Sequence, residues 1–177
     1  MLATKMYMED QNKSLTNNYN LTEFTKIYRY DAKEEKGDYY IEIRIVDMFL
    51  LKSHEKTDAQ RLADLKAEIE SDGILKKPIV VDVNTNVVLD GHHRIDALKA
   101  LGCSKIPVVF VDYQSPKIGV KTAENGEEYP KRKVIDAALR GEPLPPKSTW
   151  HYIIFSKEIA HISRIQKPVN IPLGNLK

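Results

Sequence analysis

One cysteine in 177 residues, Cys103, leaves no partner for an intrachain disulfide and no cysteine-built zinc site. Long apolar runs are missing too, and no stretch approaches the roughly 18 consecutive apolar residues of a membrane span. Glu9, Asp10 and Lys13 interrupt the first residues, so no signal-peptide h-region is read there. A cytoplasmic location with no membrane partner is the expectation. Charge of one sign is scarce. With 27 Lys and Arg against 25 Asp and Glu, the formal net charge is only +2. That is no broadly basic surface, and nucleic acid is not expected as a partner. What remains is an ordinary globular balance, 42% apolar and 29% charged, enough for one sizeable core.

Residues 1–38 are rich in Asn, Lys, Tyr and Thr without sustained periodicity, and read as a partly ordered N-terminal extension. From Tyr39 the pattern changes: Tyr39, Ile41, Ile43 and Ile45 alternate with Tyr40, Glu42, Arg44 and Val46, the period of a half-buried strand. A polar loop over 52–56 leads to a helix over 58–72. Thr57 with Gln60 fits a capping box, Leu62, Leu65 and Ile69 share one face, and Gly73 supplies the stop. Residues 78–83 and 87–89 read as two strands around the turn residues Asn84-Thr85-Asn86. A helical stripe of Ile95, Leu98 and Leu101 ends at Gly102, and 106–111 is apolar enough for a strand buried on both faces. Residues 115–128 read as a loop with a hairpin across Glu124-Asn125-Gly126. Pro130 opens a helix over 130–140 that Gly141 ends, and the proline-rich 142–146 must be extended. Residues 152–155 are strand-like, and Ser156 is placed as the cap of a last helix through Ile159, Ile162 and Ile165.

Four clusters carry chemistry. Asp90-Gly91-His92-His93-Arg94 joins a strand to a helix N-terminus, where unpaired N–H groups and the helix dipole favour an anion. Gly91 lets a phosphate approach the backbone, and His92, His93 and Arg94 add donors. The plainer reading is a tight turn with Asp90 as the helix cap, which would need neither two histidines nor an arginine. In Ser53-His54-Glu55 the carboxylate suits a base beside a reacting hydroxyl, although a glutamate before a helix is more often a solvated charge. Asp90 can coordinate Mg²⁺, orient a nucleophile or cap the helix, and the residues alone do not choose. Lastly, Pro145-Pro146-Lys147-Ser148-Thr149-Trp150-His151 offers an ammonium, hydroxyls and imidazole behind a stiff lead-in, a clamp for a small zwitterion or a phosphate. Its plainer reading is a loop anchored by Trp150. Alternation puts Lys147, Thr149 and His151 on one side, with Ser148 and Trp150 on the other.

Asp90-Gly91-His92-His93-Arg94 follows Gly73-Ile74-Leu75 and Pro78-Ile79-Val80-Val81, and precedes Ala97-Leu98, Leu101-Gly102 and Ile106-Pro107-Val108. This arrangement resembles the ParB/sulfiredoxin fold over roughly residues 40–113, in which a Gly-x-x-Arg segment at a helix N-terminus holds nucleotide phosphates. The His92-His93 doublet and the 145–151 stretch resemble the archaeal free serine kinases. Sulfiredoxin is disfavoured, because its catalytic cysteine stands where this chain has His92, and Cys103 reads as a small buried residue. The resemblance implies an α+β fold: a ParB/sulfiredoxin-like nucleotide-binding domain over 39–113, with a small C-terminal α/β extension over 114–177 that binds the acceptor. It implies phosphoryl transfer from ADP or ATP, with Mg²⁺, to L-serine, giving O-phospho-L-serine. Glu55 would be the base, with Asp90 assisting as metal ligand or second acid/base. Gly91, His92, His93 and Arg94 would hold the nucleotide, and Ser53, His54, Lys147, Ser148, Thr149 and His151 the amino acid. The rival is a ParB-like, nucleotide-dependent DNA-binding or regulatory protein without kinase activity. It calls for a helix-turn-helix, which the proline-rich segment and strand between the last two expected helices do not suit.

Overall fold

Ile106, Pro107, Val108 and Val109 are consecutive and all buried, which a strand achieves only when both of its faces are covered. The computed structural model, which describes residues 7–8, 27–34, 37–155 and 158–177, puts that strand inside a sheet. In chain order the strands are β1 (Tyr7–Met8), β2 (Ile27–Glu34), β3 (Gly37–Asp47), β4 (Lys52–Ser53), β5 (Ile74–Leu75), β6 (Ile79–Asp82), β7 (Val87–Asp90), β8 (Lys105–Val111), β9 (Ile118–Thr122), β10 (Thr149–Phe155), β11 (Glu158–His161) and β12 (Ile171–Pro172). The helices are α1 (Ala59–Asp72), α2 (His92–Ala100) and α3 (Lys131–Arg140). The mixture of helices with largely antiparallel strands is the α+β class the sequence implied.

Among the described residues, seven strands form one sheet in the order β1-β2-β3-β8-β6-β7-β4. β8 pairs antiparallel with β3 and parallel with β6, so it lies between two strands that both precede it in the chain. β6 and β7 form the expected hairpin, and β4 runs parallel to β7 through Lys52↔Val87 and Ser53↔Val88. This last pairing brings the loop after β4 alongside the end of β7, where α2 begins. β9, β10 and β11 form a second, three-stranded antiparallel sheet. The C-terminal tail closes the back: β12 pairs with β5, and Leu176 O accepts the N–H groups of Ser104 and Lys105, each at 2.9 Å. No helix among the described residues is long and apolar enough to cross a membrane.

Several local expectations meet a different outcome. The cap of α1 is Asp58, whose side chain accepts from Arg61 N at 2.8 Å; Thr57 instead donates to Asp96 Oδ2 at 2.9 Å, joining α1 to α2. The stretch 115–128 is not loop throughout, since it contains β9, while the reversal falls across Glu124-Asn125-Gly126 as expected, with Thr122 N donating to Glu127 O. The expected last helix is a strand and a 3₁₀ turn, because Tyr152, Ile153, Ile154 and Phe155 pair with His161, Ala160, Ile159 and Glu158. Ile162 and Ile165 are buried while Ile159 is 53% exposed, so the three-residue spacing held no common face. Ser156 lies outside the described residues, as does most of the 1–38 stretch, of which β2 lines the outer edge of β3. Cys103 is buried, in keeping with its reading as a small core residue.

The cap of α2 is Gly91 rather than Asp90, at φ +109°. A Cβ there would lie 2.3 Å from Ile79 Cγ2, so the missing side chain serves the core packing of β6 as well as the turn. Gly91→Ala is expected to cost about 2–4 kcal/mol, combining a strained φ with overpacking. Urea unfolding checks it. A loss below about 0.5 kcal/mol, the range of an ordinary surface substitution, would refute the packing argument.

Candidate active site

Strand β7 ends on a turn whose polar side chains point in different directions. Arg94 turns back under the hairpin: its terminal nitrogens donate to Asp90 Oδ2 at 2.7 Å, to the Pro78 carbonyl, and to Gln166 Oε1 at 3.2 Å. Gln166 in turn donates to Asp90 Oδ2. The guanidinium therefore holds the two ends of the β6–β7 hairpin and the C-terminal tail, a load-sharing role that spacing did not reveal. His93 Nε2 accepts from Asp58 N at 3.0 Å, which ties the start of α1 to the start of α2. His92 points inward. Among the described residues its Nε2 is the one buried side-chain polar atom with no hydrogen-bond partner. A buried polar atom left in that state calls for an explanation, and an absent ligand is one.

The second expected cluster meets the fourth. Glu55 Oε1 accepts from Lys147 N at 2.8 Å, and Oε2 accepts from Thr149 N at 3.1 Å and Thr149 Oγ1 at 2.8 Å. Ser148 Oγ lies 3.4 Å from the same Oε2. Backbone supports the arrangement: Leu144 N donates to His54 O, and Lys56 N to Leu144 O. The proline-rich lead-in thus lies along 54–56 and delivers 147–149 to the carboxylate. Lys147 has φ +56° and precedes the strand, so its main-chain N–H faces Glu55 and the alternation expected from residue 147 begins only at Thr149. From there Thr149 and His151 face inward, while Trp150 and Tyr152 stack on the other side with ring centroids 6.0 Å apart.

His54 and His151 were expected to reach a small ligand, and the structure commits both to internal partners. His54 is fully buried, with Nδ1 2.6 Å from Val88 O and Nε2 3.0 Å from Thr149 Oγ1. His151 is 2% exposed, and its Nε2 lies 3.0 Å from the Tyr113 hydroxyl. With His92 they form a cluster of imidazoles, His54 lying 4.6 Å from His92 and 5.2 Å from His151 between ring centroids. Burial is the largest cause that pushes His92 and His151 well below the ordinary histidine value, and their neighbouring rings add to it. His54 is lowered by burial as well, against the opposing pull of the Val88 carbonyl and Glu55. Ser53 sits half-buried on β4 opposite Val88. Tyr113 and Gln166 are partners that the sequence did not disclose, since each stands alone in a featureless stretch.

One cleft of about 750 Å³ joins these parts. Asp90 to Arg94 line one wall, Glu55, Lys147 and Thr149 another, and the partly apolar face of α1 with Leu65 and Ile69 a third. Trp150 and His161 stand at its edge. The cleft sets a helix N-terminus against a carboxylate, the arrangement needed to hold an anionic group beside a proton acceptor.

The ParB N-terminal domain family matches residues 30–126, and the chain belongs to that family. An ATP-dependent L-serine kinase of Staphylothermus marinus is 36% identical over 87 residues, which cover 47% of this chain and 34% of that protein. An ADP-dependent L-serine kinase of Thermococcus kodakarensis is 29% identical over 101 residues, covering 55% of this chain and 40% of that one. The matches thus span about a third to two-fifths of these curated relatives. A solved free serine kinase in complex with AMP superposes with a TM-score of 0.63 at 16% identity, over 77% of this chain and 94% of that one, and shares the fold.

The imidazole cluster makes stability depend on pH. Folded-state values below the ordinary 6.5 mean that the unfolded chain binds more protons, so stability is full above that value and falls as pH drops through the folded ones. Each histidine contributes a slope of about 1.4 kcal/mol per pH unit at most. Unfolding midpoints in urea are expected to decline steadily from pH 7.5 to pH 5.5. A flat profile would mean that the rings titrate in the fold as they do in the unfolded chain.

Proposed function

We propose that this protein is a phosphotransferase that moves a phosphoryl group from an adenine nucleotide, ADP or ATP, to the hydroxyl of free L-serine. The observation that carries the reading is the Glu55 carboxylate, gripped by the Lys147 and Thr149 amides in the cleft that the α2 N-terminus also lines. The relatives named as L-serine kinases support the choice of acceptor, and their differing donors leave both nucleotides in play.

In this reading the phosphates lie at the N-terminus of α2, where Gly91, His92 and His93 begin the helix and the open N–H groups meet negative charge. His92 Nε2 gains its missing partner from a phosphate oxygen. Arg94 keeps the turn in shape and contributes positive charge to the wall. The serine hydroxyl lies against Glu55, which takes its proton as the oxygen attacks phosphorus. Lys147 and Thr149 line the acceptor's end of the cleft, Ser148 reaches Glu55 Oε2 at 3.4 Å, and Ser53 lies on β4 away from that lining. A Mg²⁺ ion fits this chemistry as one held mainly by phosphates and water with one or two carboxylates, and Asp90 is the carboxylate that the turn presents. Its contribution when bound is to offset charge on the transferring group.

Purified protein incubated with L-serine, Mg²⁺ and, separately, ADP or ATP is expected to yield O-phosphoserine with at least one donor. Absence of product with both would end the proposal. Glu55→Gln should lower turnover by about 100-fold or more, the usual scale for a lost general base, with nucleotide affinity nearly unchanged. Undiminished turnover in that variant would remove Glu55 from the chemistry.

A further inference from the structure

Thr149 has one hydroxyl hydrogen and two neighbours placed to accept it. Its Oγ1 lies 2.8 Å from Glu55 Oε2 and 3.0 Å from His54 Nε2. The 2.6 Å contact from His54 Nδ1 to Val88 O fixes the tautomer, because a carbonyl only accepts. A neutral His54 therefore carries its hydrogen on Nδ1 and offers Nε2 as an acceptor. With Glu55 ionised, two acceptors then face one O–H, and one of the two contacts has no hydrogen in it. A single added proton completes the line. Glu55 O–H donates to Thr149 Oγ1, and the Thr149 O–H donates to His54 Nε2.

We propose that Thr149 and His54 are positioning residues that form a proton-accepting line behind Glu55, stabilising the proton that Glu55 takes from the acceptor hydroxyl and drawing it inward. The proposal rests on the kinase reading above. The balance is simple. The substrate O–H bond breaks as its oxygen bonds to phosphorus, and the proton goes to the Glu55 carboxylate. The Glu55 O–H then breaks as that proton moves to Thr149 Oγ1, while the hydrogen Thr149 held moves to His54 Nε2. Carboxylate and hydroxyl are restored, and His54 is an imidazolium with Nδ1–H still on Val88 O. The reverse path returns the proton once product leaves.

The surroundings make this stay temporary. Glu55, from the loop after β4, favours a charged His54, whereas burial disfavours it most. The titratable groups packed on it from elsewhere are His92 on α2 and His151 on β10, the latter held by the Tyr113 hydroxyl and further influenced by Lys131 and His161. His54 is fully buried and has both nitrogens occupied, so it acts through Thr149 rather than on substrate.

Thr149→Val keeps Glu55 and His54 and removes the hydroxyl bridge between them. His54→Asn keeps a donor for the Val88 carbonyl and withdraws the acceptor. Each is expected to lower kcat for phosphoserine formation by roughly tenfold or more, with KM for serine changing far less. Thr149→Ser should restore most of the rate, and the Thr149→Val/His54→Asn double variant should be no slower than either alone. Losses that multiply, or that fall on KM alone, would overturn the line. Independently of turnover, ¹⁵N NMR of the His54 ring should show its titration moving to lower pH in Thr149→Val and in Glu55→Gln. A His54 titration unmoved by Thr149→Val overturns the proposal even if the enzyme is active. A wild-type protein that makes no phosphoserine ends the kinase reading, while the NMR result still decides the coupling. Should Thr149→Val fail to fold, the His54 titration in Thr149→Ser, expected to match wild type, and in Glu55→Gln, expected to fall, decides between the outcomes.

Discussion

A largely buried guanidinium ties the β6–β7 hairpin, the start of α2 and the C-terminal tail together at one point. Arg94 gathers the carbonyl that precedes β6, the carboxylate that ends β7 and the amide of Gln166 from the tail. Such a charge is tolerable inside only with its donors matched, and losing one partner strands the rest. The hairpin, the α2 N-terminus and the C-terminal strap therefore share one side chain as a tie, beside their own backbone pairings. With its donors committed to these partners, Arg94 lines the cleft beside the α2 N-terminus without closing it.

The site is then built by chain segments that meet at a distance. Residues 54–56 reach the end of β7 through the parallel β4–β7 pairing, and 144–149 reach 54–56 through Leu144. Glu55 links these two long-range approaches, held by two main-chain amides and the Thr149 and Ser148 hydroxyls. Ionised carboxylates accept such bonds strongly, so the grip also orders the start of β10.

Much of this was legible beforehand. The β3 alternation, the β6–β7 hairpin, the doubly buried β8 and the two long helices follow from periodicity and turn residues, which act locally. The clustering of Glu55 with 147–149 and of the 90–94 turn in one cleft was anticipated through motif resemblance rather than physics. What stayed hidden depends on partners far away in sequence. Arg94 and His93 read as ligand donors because nothing near them names Pro78, Gln166 or Asp58 as partners. The isoleucine spacing from Ile159 to Ile165 matched a helix, yet pairing with β10 outweighed it. His54 and His151 looked available because burial cannot be seen in a polar loop.

Lys147 carries a consequence of a different kind. It meets Glu55 through its amide at φ +56°, so the contact that its position supplies is independent of the side chain hung there. What the position demands is a residue at ease in the left-handed region, a demand that asparagine or glycine meets better than lysine does. The essential contact at this corner is thus written in backbone geometry rather than in the side chain that the position carries.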